Sequence, residues 1–459
     1  MFVDIIHHGA KTGVTGSCHE LVIGNSSLLV DCGLFQGSEN KNNKFDIEFD
    51  VKRIEALLIT HSHIDHIGRI PWLLAAGFTG PIYATEATAA LLPLMLEDGL
   101  KIQLGFNSQQ CKQFTQLIQQ KIRPVPYDCW AKVVLLNGDS VSVRFRQAGH
   151  ILGSAYIEVE LPNQNIVVFS GDLGPCNTPL LTDPVSPEKA DVLVIESTYG
   201  DKALHDTQQR EAHLRKIIER SLQDGGAILI PAFSVGRTQE LLFDIENILA
   251  DVLTGSNHDN TYRRWKSLPV ILDSPLAMKV TEQYRHFQEL WSKEAKDRRY
   301  MGRHPLSFEQ CVTIETHQDH IELVNRLKHS GEPAIIVAAS GMCAGGRIVN
   351  YLEALLSDSR TDVIFAGYQA QGTLGRVLCN GDEVVEIHEQ VIDVKANIYQ
   401  MSGYSAHAAQ DDLVKFVAGI NDGPAVIRVV HGDVAAQTQL AKCLHDCKPE
   451  AHVIIAANE

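Results

Sequence analysis

Leu57-Leu58-Ile59-Thr60-His61-Ser62-His63-Ile64-Asp65-His66-Ile67-Gly68 decides how the rest of the chain is read. An apolar run of β-formers ends in three histidines and an aspartate, and Gly68 then opens a helix predicted from Arg69 to Ala76. In α/β folds chemistry collects where a buried strand delivers polar side chains past its C-terminal end. Four such side chains at a buried strand end cost free energy unless something pairs them. Imidazole and carboxylate together suit zinc or a similar divalent ion. His61 and His63 are placed to converge on one ion, while Asp65 and His66 turn with the chain toward a second.

The same design recurs on both sides of this stretch. Asp31 ends a strand before glycine, where a carboxylate orients a metal-bound histidine from behind or serves as turn chemistry. Gln147-Ala148-Gly149-His150 sets one histidine among small residues directly after a strand. Ile166-Val167-Val168-Phe169-Ser170-Gly171-Asp172 and Val192-Leu193-Val194-Ile195-Glu196 each run an apolar strand into an acid. Near the end, Ser405-Ala406-His407 precedes a helix, and Ala425 to Val430 runs into His431-Gly432-Asp433. Together these supply a third imidazole for one metal and a carboxylate able to bridge two.

A length of 459 residues points to two or three domains, and 44% hydrophobic residues to a globular protein. No apolar run reaches the length of a membrane span. Met1 to His7 reads as a first strand, lacking the basic start and apolar core of a signal peptide. The ten cysteines form no CxxC pair. A cytoplasmic protein with reduced thiols and no thiolate-held metal is expected. The net charge of −16 weighs mildly against nucleic acid, but bound divalent ions add local positive charge that the formal count omits.

From about residue 201 the texture changes to strands alternating with helices, which indicates a parallel sheet. A helix is predicted from Thr207 to Gln223 and another from Gly236 to Leu253. Gly255 to Lys266 and Lys293 to His304 read as surface loops. Pro333 to Ala339 enters the Gly-rich turn Ser340-Gly341-Met342-Cys343-Ala344-Gly345-Gly346-Arg347, whose N–H groups suit an anion. No Gly-Lys-Ser/Thr follows, so ATP is not expected. Gly367-Tyr368-Gln369 and Gly372 to Arg376 form a second such turn, and Arg237, after Gly236, opens a third. Arg237, Arg347 and Arg376, each beside glycines at a helix start, are read as a phosphate-binding wall or as solvated and structural cations.

The ordered series HxHxDH, GHxxGS, SGD, ESTYG, PAFSVGRTQELL, SGMCAGGR, GYQAQGTLGR, SAH and VHGD resembles the β-CASP branch of the metallo-β-lactamase superfamily. That branch comprises RNA-processing nucleases, including the endonuclease subunit of the mRNA cleavage-and-polyadenylation machinery. The resemblance spans nearly the whole chain. It implies an α/β fold: an αββα sandwich from residues 1–200 and 386–459, with an inserted parallel-sheet β-CASP domain at 201–385. It implies two zinc ions, one on His61, His63 and His150, the other on Asp65, His66 and His431, with Asp172 bridging and Asp65 also in the catalytic set. Asp31 matches the first acidic motif, in a supporting role. Glu196 and His407 match the pair placed beside the leaving group, with His407 as general acid, and histidine at 431 is typical of members that act on RNA. The implied activity is hydrolysis of RNA phosphodiester bonds, internally and with 5′-exonuclease action open. The implied partner is single-stranded RNA, with no membrane and a homodimer left open. Two rivals stand beside it: hydrolysis of a small ester or lactam on the same metals, and a non-catalytic RNA-binding subunit.

Overall fold

Period-two alternation sorts the strand residues of the N-terminal region onto two faces, and both faces are buried. In Ser26–Val30, Leu28 and Val30 enter one core and Leu29 another. In Ile54–Leu58, Ala56 and Leu58 join the first core and Leu57 the second. In Ile166–Phe169, Val167 and Phe169 also reach the first core, whereas Val168 lies in a third. The shared core is where two sheets face each other. Helices fill the other two: Glu86–Leu104 through Leu92 and Leu96, and Gln410–Ala418 through Leu413 and Phe416. Four layers, αββα, follow from that alternation.

This computed structural model describes residues 4–39, 45–136, 138–203, 209–255, 260–367 and 369–458. The first sheet runs Asp4–His7, His19–Ile23, Ser26–Val30, Ile54–Leu58, Ile82–Thr85, Ile122–Val125. It is antiparallel up to Ser26–Val30 and parallel beyond. The second runs His452–Ile455, Val426–Val429, Val192–Ile195, Ile166–Phe169, Ala155–Glu160, Ser140–Gln147, Trp130–Val134. Its first four strands are parallel and the remaining pairings antiparallel.

The chain divides into two compact units, 1–204 with 406–459, and 205–405. The second unit has its own six-stranded sheet, parallel throughout, in the order Cys311–Thr313, Val270–Asp273, Ala334–Ala338, Ala227–Pro231, Asp362–Phe365, Asn397–Gln400. The second compact unit extends past residue 385, where the inserted domain was expected to end. The hairpin Val384–Ile387 with Gln390–Asp393 packs Val385, Ile387 and Ile392 into this unit's core, and Asn397–Gln400 completes its sheet edge. Strand pairing assigns those residues, and composition carries no trace of it.

Three local expectations are also corrected. Helices Asn260–Lys266 and Lys293–Tyr300 occupy most of the two predicted loops, each anchored by one buried apolar residue, Trp265 and Ala295. So few apolar positions leave no readable helical period. The helix expected at Arg69 is preceded by a one-turn helix, Ile64–Ile67, that already carries Asp65 and His66. Thr207 and Tyr368 lie outside the described residues, and the helix expected from Thr207 is described as Arg210–Asp224. Among the described residues no helix is long and apolar enough to cross a membrane.

Candidate metal centre

Strand ends of both sheets in the first unit bring the polar residues to one rim. Ile54–Leu58 leads to His61 and His63, Ser140–Gln147 to His150, Ile166–Phe169 to Asp172, and Val426–Val429 to His431. His63 Nδ1 stands 3.1 Å from His61 Nε2 and 3.0 Å from His150 Nε2. Asp172 Oδ2 is 3.6 Å from both His61 Nε2 and His150 Nε2. Four donors bonded tetrahedrally to one ion at ordinary zinc distances lie about 3.3 Å apart, so these spacings fit a single cation.

The second group is looser. His66 Nε2 is 3.3 Å from Asp172 Oδ1 and 3.9 Å from Asp65 Oδ2. His431 presents Nε2 to Asp65 at 3.7 Å and Nδ1 to Asp172 Oδ1 at 3.6 Å. Asp172 thus turns one oxygen to each group. Both its oxygens, His66 Nε2 and His431 Nε2 are buried with no hydrogen-bond partner among the described residues. A buried carboxylate left so would cost several kcal/mol, on the order of 3 or more, and a cation in each group removes that cost. The donor set fits divalent metal.

Electrostatics agrees with the geometry. Burial holds the His61 and His150 rings well below the usual imidazole range, and His63 down to about 4. Neutral rings offer lone pairs to a metal. At His66 burial acts the same way, but the carboxylates of Asp172 and Asp31 outweigh it and push the ring up. At His431 burial is outweighed by Asp172 and Asp65, which push it up to about 9. The pocket around Asp172 favours positive charge.

Supporting residues hold the ligands in orientation. Asp31 lies at 2.7 Å from His66 Nδ1 and accepts from Thr60 N at 2.8 Å and Thr60 Oγ1 at 2.7 Å. The Ala406 carbonyl lies 2.7 Å from His150 Nδ1. His407, half-buried, sets Nδ1 at 3.4 Å from Glu196 Oε2 and 3.7 Å from Asp172 Oδ2. Burial opposes its charge, yet Glu196 and Asp172 push its ring above the usual value. Glu196 accepts from Leu173 N and Thr198 N, at 2.7 and 3.3 Å.

Residues 12–230 match the metallo-beta-lactamase superfamily and 238–378 the Beta-Casp domain. The chain is 35% identical over 442 residues to ribonuclease TTHA0252 of Thermus thermophilus, covering 96% of this chain and 95% of that one. The chain belongs to the β-CASP family of the metallo-β-lactamase superfamily. Residues 391–455 of this β-CASP protein match the Zn-dependent metallo-hydrolase RNA specificity domain. It is 29% identical over 444 residues to the transcription termination factor FttA of Methanocaldococcus jannaschii, with 93% of this chain and 66% of that one covered. A crystal structure of a protein of unknown function from Enterococcus faecalis shares the fold, with TM-score 0.53, 12% identity and 98% and 97% of the two chains covered. The family's fold implies a divalent-metal site.

The residues expected to form a phosphate wall lie in the second unit. Ser340 and Gly341, Arg237, and Arg376 follow three adjacent strands, Ala334–Ala338, Ala227–Pro231 and Asp362–Phe365. The Arg237 guanidinium lies against Gly367, and Ser340 Oγ bonds within its own turn to Gly345 O and Ala344 N. Arg347 departs from the expectation. Its guanidinium is taken up by Asp273 at 2.6 Å and by the carbonyls of Ile314 and Glu315. Thr60, and Thr198 with its hydroxyl 3.1 Å from His431 Nδ1, are supporting residues that sequence reading passed over. Their only signal is closeness in sequence to residues already singled out: Thr60 adjoins His61, and Thr198 follows Glu196 by two positions. Ser17 and His19 were passed over too; they line a small cavity together with Asp31, His66, Asp172 and His431.

Proposed function

We propose that this protein is a zinc-dependent ribonuclease that hydrolyses phosphodiester bonds of single-stranded RNA in the cytoplasm. The observation that carries the reading is Asp172, buried between two groups of imidazoles with one oxygen turned to each. One zinc would lie on His61, His63, His150 and Asp172, the other on Asp65, His66, His431 and Asp172. The RNA half of the reading is supported by the match of residues 391–455 and by the identity to a protein named a ribonuclease.

When bound, such ions supply Lewis acidity, lowering the pKa of water and offsetting charge on phosphate oxygens. The chain's own groups do the rest. Asp31 accepts a hydrogen bond from His66 Nδ1–H, and the Ala406 carbonyl one from His150 Nδ1–H, so both rings present Nε2 in a fixed tautomer. Glu196 and Asp172 keep His407 protonated, and its Nε2 gives that proton to the departing 3′-oxygen. Arg237, Arg376 and the turn at Ser340-Gly341 hold phosphates of the strand. Arg347 has no part in this, since Asp273 occupies it.

His407→Ala is expected to lower turnover roughly 10²- to 10⁴-fold with two zinc ions per chain retained by elemental analysis. Loss of metal in that variant would move His407 into the ligand set. Incubation with 5′-labelled and circular RNA, with and without chelator, tests the substrate. A cut circle establishes internal cleavage, and shortening of the linear strand alone establishes 5′-exonuclease action. Hydrolysis of nitrocefin with both RNAs intact would replace RNA by a small-molecule substrate.

A further inference from the structure

Phe233 displays an aromatic ring where its neighbours are covered. It follows the strand Ala227–Pro231 and precedes the helix Arg237–Gly255. Pro231, Ala232 and Val235 are buried, whereas Phe233 is 43% exposed. The turn that carries it is tied down from below. Thr238 Oγ1 donates to Phe233 O at 2.8 Å. Gln239, wholly buried, donates through Nε2 to Ser234 O at 3.1 Å and to Thr281 Oγ1 at 2.9 Å, and accepts from Gly236 N at 2.7 Å. On one side the ring meets Gly341, on the turn after the adjacent strand. A Cβ there would stand 2.9 Å from both the ring Cδ2 and Phe233 N. Folding therefore spends a rigid turn and a glycine on holding a ring that stays in water, and that ring's apolar area remains available to a ligand.

Its place in the fold narrows what that ligand is. Phe233 stands past the C-terminal end of a strand inside a parallel sheet, the edge at which α/β folds bind ligands. Its surroundings are polar. Ser234 and Ser274 bring hydroxyls 3.2 Å apart, and Arg237 begins the helix four residues on. A lone ring with hydroxyls and a cation suits a flat base tethered to phosphate better than an apolar peptide, which would need a wider apolar patch. We infer that Phe233 is a stacking platform for a nucleobase of the RNA substrate, which sets how the strand is gripped. The inference rests on the ribonuclease reading and adds a specific contact to it. Stacking accepts any base, so it would grip the strand without selecting a sequence.

The test compares Phe233→Ala, Phe233→Leu and Phe233→Trp in the full chain, using RNA oligomers with 2-aminopurine at each position in turn. Wild type and Phe233→Trp should quench the probe at one position on binding. Phe233→Ala and Phe233→Leu should lose that quenching and raise KM roughly 5- to 100-fold, with kcat changing far less. Phe233→Leu keeps apolar bulk in the turn, so folding is not what it tests. Wild-type KM and quenching in Phe233→Leu would overturn the inference. So would a fall in kcat at constant KM, or loss of self-association with RNA binding intact. If wild type neither binds nor cuts any RNA, the ribonuclease reading fails first, and that outcome is seen without any variant.

Discussion

At residue 33 a methyl group would land 1.5 Å from the carbonyl oxygen of Asp65. Ser17 N also donates to that carbonyl, and Cys32 N to that of His66, so the backbones around Asp31 and Asp65 are locked in near contact. Gly33→Ala cannot be absorbed by a rotamer change. Its cost should lie at or above the upper end of about 1–3 kcal/mol for overpacking. The expected result is a lower melting temperature together with lost metal; normal melting with full metal content would show that the contact relaxes freely. Two other residues at this rim, Asp31 and His431, hold left-handed backbone at φ 60 and 51. Residues other than glycine reach that region at some cost, which here aims Asp31 at His66 and His431 at Asp65 and Asp172.

Individual elements reveal chemistry that composition hides. The strand Val270–Asp273 ends in a buried aspartate that accepts from His320 Nδ1 at 2.6 Å, from the Tyr351 hydroxyl, and from Arg347. Burial resists ionisation, but those donors hold Asp273 below its usual range. Arg347 thus completes a buried network. Asp362, which opens another strand of the same sheet, behaves oppositely. Burial, opposed by Arg220 at 3.3 Å, pushes its carboxyl from 3.8 up to about 6. A folded pKa above the unfolded one stabilises fully below about 4, and that contribution is lost as pH rises through about 6. Asparagine imitates the neutral carboxyl at every pH. Asp362→Asn is expected to match wild type at pH 4 and to melt higher at pH 8. A lower melting temperature at pH 8 would mean that the Arg220 pair outweighs the burial cost.

At the scale of the whole molecule, the metal centre ties together positions from His61 to His431. Anything that binds the folded state alone stabilises it by mass action, by about 4 kcal/mol at a thousandfold excess over Kd. Chelation should therefore lower the melting temperature by several degrees, and Asp172→Asn, which removes charge from both groups, should shrink that shift. An unchanged shift in the variant would deny Asp172 its bridging place. How much of this was legible in advance depends on range. The apolar alternation and the acid or histidine past each strand end are patterns within ten residues or so, and such patterns expose both the layered α/β fold and the side chains that meet at its rim. Range also explains what was missed. Asn397–Gln400 joins a sheet through hydrogen bonds to Asp362–Phe365, Arg347 turns to Asp273 across 74 positions, and Thr198 reaches His431 across 233. Sequence by itself determined which side chains carry charge and lone pairs and which strand ends present them. Only the tertiary structure decided which of those groups neutralise one another, because pairing depends on distance in space, and no local pattern encodes that.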